Sequence, residues 1–358
     1  MRVRSILALG AALAMSLAVA PASAAPVSSG PAHPVPVSRV AAPAAPAQHG
    51  PTARLVTTFD KGMAGAFAES MAVARDGTLY VAVTTWSATS WNTGQVYRVT
   101  PAGRRTPFGP AITGGLITGL AFDQTGHLFV GLAAWQEPGL PTINPGVFRI
   151  DPNGRATRVL TLPNGAMGTA AFPNGLAVHG RYLYVADSVG KIWRTRTDAR
   201  RVVTPSRPWL SSTVLTASAG HFGLNGITFR GDVLYGVVYD SGLVVRVPVT
   251  RRGTPGPLSI MARNTLLKTA DGITFDAIGR LWVTATRSGT VGSGALLTVD
   301  RTGRVRLVAE HTSWLDYPTQ VVFGVTARDR ATLYLTNGAF ESGKAPTVVA
   351  LTHIGVRG

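Results

Sequence analysis

An all-β fold, a six-bladed β-propeller with four strands per blade, is what three observations in this sequence predict. Strand-like runs rich in Val, Leu, Tyr, Thr and Phe alternate with Gly, Asp, Asn and Pro turns, and no long segment has a 3.6-residue period. A motif of the form x-Gly-[Leu/Ile]-[Ala/Thr]-[Phe/Val], a short turn, then Leu-[Tyr/Phe/Trp]-Val recurs along the chain. Its six copies begin at Glu69, Thr118, Asn174, Asn225, Asp271 and, in degenerate form, Thr319, between 46 and 56 residues apart.

Each copy supplies the first two strands of a blade, and a third follows each pair: from Gln95, Gly146, Lys191, Leu243, Ala295 and Thr347. A fourth is legible from Thr157, Leu258 and Arg304. The last repeat ends after its third strand, while Ala53-Arg54-Leu55-Val56-Thr57-Thr58-Phe59 resembles a fourth strand without a blade. The N-terminal strand is therefore expected to complete the last blade and close the ring, removing an exposed sheet edge.

Three segments precede or make up this domain. Residues 1–24 read as a secretory signal: Arg2 and Arg4, an apolar stretch from Ile6 to Ala20 too short to span a bilayer comfortably, and the cleavage pattern Ala22-Ser23-Ala24. Residues 25–52 form a Pro/Ala-rich linker that cannot bury a core. Residues 53–358 make the propeller. The expectation is a secreted, monomeric bacterial protein without a membrane span.

Composition excludes several chemistries. With no Cys there is no disulfide framework, thiolate zinc site or thiol nucleophile. The net charge is +17, and Lys61, Lys191, Lys268 and Lys344 are the only lysines, so the excess is carried by Arg. Arg104, Arg105, Arg155, Arg200, Arg201, Arg251, Arg252, Arg301 and Arg304 fall in turns between third and fourth strands, all at one end of a propeller. Such a ring could hold an anionic cell-wall polymer or glycan, or could be a solvated surface. No groove-binding element favours nucleic acid.

In a propeller the innermost strand of each blade lines the central channel, so the first residues of the repeats converge at one mouth. That ring is Glu69, Thr118, Asn174, Asn225, Asp271 and Thr319. Two carboxylates meeting in a narrow channel need compensation. Two anionic and two neutral oxygen donors suit Ca²⁺, with Mn²⁺, Mg²⁺ or Zn²⁺ as other candidates. The alternative is that Asn-Gly and Asp-Gly merely serve as turn dipeptides; three in the same phase of successive repeats, with Glu in phase before them, favour the metal site. Aromatic residues, including Phe67, Trp86, Trp91, Trp135, Phe172, Phe222, Tyr239, Trp314 and Tyr317, fall in loops around that mouth. Trp86, Trp135, Phe172, Tyr239 and Trp314, with Thr118 and Thr319 of the ring, are the candidate substrate contacts. They imply an apolar or aromatic small molecule with one polar head. His221, four residues before Asn225, is a candidate acid or base.

The stretches Phe67-Ala68-Glu69-Ser70, Phe172-Pro173-Asn174-Gly175-Leu176-Ala177-Val178, Leu224-Asn225-Gly226-Ile227 and Ala270-Asp271-Gly272-Ile273 resemble the calcium-dependent six-bladed propellers of the regucalcin (senescence marker protein) and gluconolactonase family. Diisopropylfluorophosphatase and paraoxonase share that architecture. The resemblance extends over about residues 53–354. It implies a divalent cation held by Glu69, Asn174, Asn225 and Asp271, hydrolysis of lactones or esters, and Asp271 as general base or nucleophile. Three departures stand out: Phe172 where sugar-lactone members carry a basic residue, Ser70-Met71 in place of Gly-Pro, and Thr319 where phosphotriesterases place a His. They weaken the expectation of a sugar acid lactone or an organophosphate and leave the cation site untouched. Two other functions compete. One is a non-catalytic binding propeller with a structural cation. The other is a different propeller enzyme, such as a strictosidine-synthase-like protein or a lyase resembling virginiamycin B lyase; the lyase relatives use seven blades and a Mg²⁺/His site that six repeats without a mouth His do not match.

Overall fold

The computed structural model describes residues 51–59, 65–85, 93–134, 143–166, 168–217 and 222–354. The expected leader (1–24), nearly all of the linker, and Trp86, Trp91, Trp135 and His221 lie outside the described residues. Twenty-four strands form six four-stranded antiparallel sheets, each built from consecutive strands except the last. The chain starts on β1 (Thr52–Thr58). Blade one is β2 (Ala66–Val73), β3 (Leu79–Thr85), β4 (Thr93–Val99) and β5 (Arg105–Thr113). Blade two is β6 (Leu116–Phe122), β7 (Leu128–Ala133), β8 (Gly146–Ile150) and β9 (Ala156–Thr161). Blade three is β10 (Pro173–His179), β11 (Tyr182–Asp187), β12 (Lys191–Arg196) and the two-residue β13 (Leu210–Ser211). Blade four is β14 (Leu224–Arg230), β15 (Val233–Val238), β16 (Leu243–Pro248) and β17 (Ser259–Arg263). Blade five is β18 (Ala270–Phe275), β19 (Leu281–Ala285), β20 (Ala295–Val299) and β21 (Val305–Glu310). Blade six is β22 (Pro318–Phe323), β23 (Leu333–Asn337) and β24 (Thr347–Thr352), completed by β1.

The closure expected from the sequence is the one observed. β1 runs antiparallel to β24, with Thr52 opposite Thr352 and Thr58 opposite Thr347. Both ends of the domain are thereby joined in one sheet, and the ring cannot open without breaking that ladder. Two fourth strands escaped the sequence reading. β5 contains Pro107, Gly109 and Pro110, which argue against a strand unless it is an outer edge that needs few donors. β13 is only two residues long and follows a loop holding Pro205 and Pro208.

The hydrophobic core is divided into six clusters, one in each seam between adjacent blades. Alternate side chains of a strand point to opposite faces, and in a propeller each face meets a neighbouring blade. This explains why the second strands read as unbroken apolar runs: all six residues of β7 are buried. Among the described residues no helix is long and apolar enough to cross a membrane. The turns bearing Arg104, Arg155, Arg200, Arg201, Arg251, Arg252, Arg301 and Arg304 lie at the end of the ring opposite the starts of the inner strands, and these side chains are exposed.

Candidate functional site at the channel mouth

The six residues in phase share one backbone device. In every inner strand the pairing register slips where the ring residue sits: at Glu69, Thr118-Gly119, Asn174-Gly175, Asn225-Gly226, Asp271-Gly272 and Thr319. A bulge adds one residue to the strand and re-aims the side chain it carries. The repeat therefore does more than place six residues at one end of the channel; it frees each from the pleat.

The glycine that follows has a different purpose from the one dipeptide statistics suggest. A Cβ at Gly175 would lie 2.6 Å from the Asn225 carbonyl oxygen, and one at Gly226 2.1 Å from the Asp271 carbonyl oxygen. Neither residue has a positive φ. Glycine is required by the close approach of the next blade's backbone, and the Asn-Gly and Asp-Gly pairs are interior packing units, not turns. In blade one the same place holds Ser70, whose Oγ accepts a hydrogen bond from the Leu120 amide at 3.1 Å.

The ring splits into two kinds of position. Thr118 and Thr319, each 1% exposed, donate their hydroxyls across a seam: Thr118 to the Pro173 carbonyl and Thr319 to the Ala68 carbonyl, both at 2.9 Å. The acceptors immediately precede Asn174 and Glu69. The two threonines, candidate substrate contacts from the sequence, use their protons to fasten the strands that carry their neighbours. The physical reason is that a buried hydroxyl takes the nearest carbonyl.

The other four are two amides and two carboxyls. Asn174 donates its Nδ2 to Ser188 Oγ at 3.3 Å, and Ser188 in turn donates to the Leu224 carbonyl at 3.0 Å. Asn225 donates its side-chain amide to the Asp271 carboxylate. With the nitrogens so engaged, the amide oxygens are the groups left as donors to a cation. Asp271 is held well above the ordinary carboxylate range by burial and by the negative charge of Glu69, with the Asn225 hydrogen bond opposing. Burial pushes Glu69 up to about 8. Two carboxyls from blades one and five thus share one field in a poorly solvated channel, and near neutral pH the pair retains a proton unless positive charge is supplied.

The donor set, two carboxylates and two amide oxygens, fits a hard divalent cation. Among the described residues no three or more His, Cys, Asp or Glu side chains cluster as a metal site, so any such site depends on the two asparagines.

Sequence reasoning missed the residues that brace the entry loops. Asp187, at the end of β11, accepts hydrogen bonds from the Phe172 amide (2.9 Å), the Val189 amide (3.2 Å) and Trp193 Nε1 (2.8 Å). Asn337, at the same position in blade six, accepts from the Asp316 amide at 3.0 Å and donates to the Trp314 carbonyl at 2.9 Å. Both follow the Leu-Tyr pair of a second strand, a phase that lies beyond the repeat motif itself.

Of the aromatic residues expected at the mouth, Phe172, Phe222 and Tyr239 form one chain, with ring centroids 5.2 and 5.8 Å apart. Phe67, Tyr317 and Phe340 form a second, at 5.5 to 6.1 Å. Together they follow the mouth from blade three, through four and six, to blade one. Trp314 does not join them. It packs against the seam between blades five and six and lines a shallow groove beside β21 and Pro51, at the periphery of the ring. Two residues of chain separate Trp314 from Tyr317, enough to move it off the mouth.

No protein-family model and no curated protein matches the chain. Solved structures do. The periplasmic gluconolactonase of Pseudomonas aeruginosa is 16% identical, over 79% of this chain and 88% of that one, with a TM-score of 0.50. The PQQ-bound aldose sugar dehydrogenase of Streptomyces coelicolor is 15% identical over 86% and 100%, at 0.51. The virginiamycin B lyase of Staphylococcus aureus is 13% identical over 84% and 99%, at 0.51. At these identities the likeness is one of fold, a β-propeller shared by gluconolactonase-like proteins, and it spans three different chemistries.

Proposed function

We propose that the protein is a secreted, divalent-cation-dependent hydrolase of lactones or esters acting at the channel mouth. The observation that carries this reading is the meeting of Glu69 and Asp271 in one buried field, flanked by two asparagines whose nitrogens are already engaged. Ca²⁺ held by Glu69, Asn174, Asn225 and Asp271 would supply charge neutralisation and Lewis-acid polarisation of a carbonyl oxygen. Asp271 acts as base, taking a proton from water as the water oxygen attacks the carbonyl carbon, and returning it to the alkoxide when the C–O bond breaks; direct attack by its carboxylate is the alternative. Asn225 orients Asp271, and Ser188 orients Asn174. Phe172 and Tyr239 offer apolar surface to the remainder of the substrate, and the mouth as a whole suits a small apolar or aromatic ester. At the opposite end, the exposed arginines would retain the protein on acidic wall polymers or glycans.

The test is a screen of aryl esters and small lactones with and without EDTA, beside Glu69→Gln. Turnover lost with EDTA, restored by Ca²⁺ and absent in the variant is the expected result. Calcium-dependent stabilisation with no turnover on any compound would favour a ligand-binding propeller with a structural cation.

A further inference from the structure

Between the two aromatic chains lies a group of hydroxyls that the proposed mechanism does not use. Tyr239 Oη contacts Thr286 Oγ1 at 2.7 Å and also Ser288 Oγ, while Thr286 and Ser288 are 3.0 Å apart. The three close a triangle in which each hydroxyl can donate to the next, so their three protons suffice for their three contacts. Tyr317 is appended at 3.4 Å from Ser288 Oγ, and its hydroxyl also reaches Tyr239. With the triangle using the protons of its own three members, Tyr317 donates into it across the long 3.4 Å contact, a weak bond that a substrate oxygen at ordinary distance would replace. Thr286 and Tyr239 are buried, whereas Tyr317 is half-buried.

Tyr317 is held with some insistence. Its φ of 57° is in the left-handed region, which a non-glycine residue adopts at a cost of about 1 kcal/mol. The conformation is fixed from both sides: its amide donates to the Ser293 carbonyl at 2.7 Å, and its carbonyl accepts from the Gly338 amide at 2.9 Å. The ring meets Phe67 edge-on and Phe340 at a tilt, the three rings closing a triangle. Tyr317 stands two residues before the ring position of blade six. Tyr239 is the residue whose carbonyl accepts from the Thr269 amide, two residues before Asp271. Both phenols lie within electrostatic reach of Asp271.

We propose that Tyr317, backed by Ser288 and Tyr239, forms a polar notch among the aromatic residues of the mouth and donates a hydrogen bond to an oxygen of the substrate whose ring lies on Phe67 and Phe340. The substrate class this selects is a bicyclic or aryl lactone or ester, with its polar edge toward blade five and its apolar edge toward blades six and one. The inference rests on the hydrolase reading for the identity of the ligand and not for the geometry of the notch.

The test therefore measures binding without turnover. 3,4-Dihydro-2-quinolinone, a cyclic amide with the ring shape of an aryl lactone, and 1,2,3,4-tetrahydroquinoline, which lacks the carbonyl, are titrated calorimetrically into the wild-type full chain in Ca²⁺, into Tyr317→Phe and into Ser288→Ala. Losing one hydrogen bond of ordinary strength corresponds to about a tenfold weaker Kd. Tyr317→Phe should weaken the carbonyl-bearing probe by about tenfold and leave the other within about twofold. Ser288→Ala should shift the first in the same direction by a smaller factor. A variant damaged only in structure would weaken both probes together, and that result overturns the proposal. Equal binding of the carbonyl probe to wild type and Tyr317→Phe overturns it too, as does failure of the wild type to bind either probe. Binding with the expected selectivity but no hydrolysis of the corresponding lactone leaves the notch standing and removes the hydrolase reading alone.

Discussion

The six mouth positions share one bulge and one place in the repeat, yet two of them fasten the neighbouring strand and four present amides and carboxyls to one another. Thr118 and Thr319 flank Glu69 on either side of the ring. Each gives its proton to the carbonyl just before a ring residue, Asn174 or Glu69. Asn174, Asn225 and Asp271 occupy consecutive blades, with Asn225 half a turn from Glu69. The difference is one of proton inventory. A hydroxyl can satisfy itself against a neighbouring carbonyl, whereas a carboxylate can only accept and must find a donor or a cation. The same backbone therefore yields a strap or a proposed ligand, depending on which side chain the bulge releases.

The largest expected effect is at Asp271. Asp271→Asn should lower kcat on a cleavable aryl ester or lactone by at least about 10³-fold, in the range seen when a general base or electrostatic group is removed. It should also raise the melting temperature of the metal-free protein near pH 8, because the like charges no longer share the channel. Full turnover in that variant would place the chemistry elsewhere. Next is Gly226→Ala, whose methyl would meet the Asp271 carbonyl oxygen at 2.1 Å. It should cost about 1–3 kcal/mol in chemical denaturation and weaken Ca²⁺ binding by displacing Asp271. An unchanged midpoint would mean that the blades can part freely.

A pH series separates the two classes of position further. The folded protein binds protons on Glu69 and Asp271 more tightly than the unfolded chain does, since both are raised, Glu69 to about 8. Stability of the metal-free protein should therefore be greatest at the acid end and fall as pH rises from about 4 through about 8, continuing to fall until both carboxyls have ionised. Over the same window Ca²⁺ affinity should rise, because the ion binds the deprotonated pair. Differential scanning fluorimetry across pH, with and without Ca²⁺, reads both; a metal-free melting curve independent of pH between those values would contradict the shared field. The smallest effect belongs to the straps. Thr319→Val should cost about 1 kcal/mol for its lost hydrogen bond and leave kcat nearly unchanged. A loss comparable to that of Asp271→Asn would make it a substrate contact after all.

Much of this was legible before any coordinates. Six in-phase motifs, third strands at fixed offsets and an orphan strand at Ala53 sufficed for a six-bladed ring closed by its own N-terminus. The same phase picked out Glu69, Asn174, Asn225 and Asp271, because a repeat converts distance in sequence into proximity at an axis. β5 was hidden by Pro107 and Pro110, and β13 by its brevity, since outer strands are under weak constraint from pairing. Asp187, Asn337 and Ser188 were hidden because their work is done on the backbone or amide of another segment, which no local pattern encodes.

What the amino-acid order determined by itself was periodicity: how many blades there are, which strand is innermost, and which residue stands first on it. Only the folded ring decided how those residues are used. The spacing between neighbouring blades made glycine obligatory after the asparagines and Asp271. Nearby carbonyls engaged the two threonines, and the poor solvation of two carboxyls facing one channel raised both of them above the ordinary carboxylate range. Periodicity is a property of local backbone preference and can be read along a line. The state of a proton or the fit of a methyl group depends on whatever lies a few ångströms away, and in this chain those neighbours are mostly about fifty residues distant and one blade around.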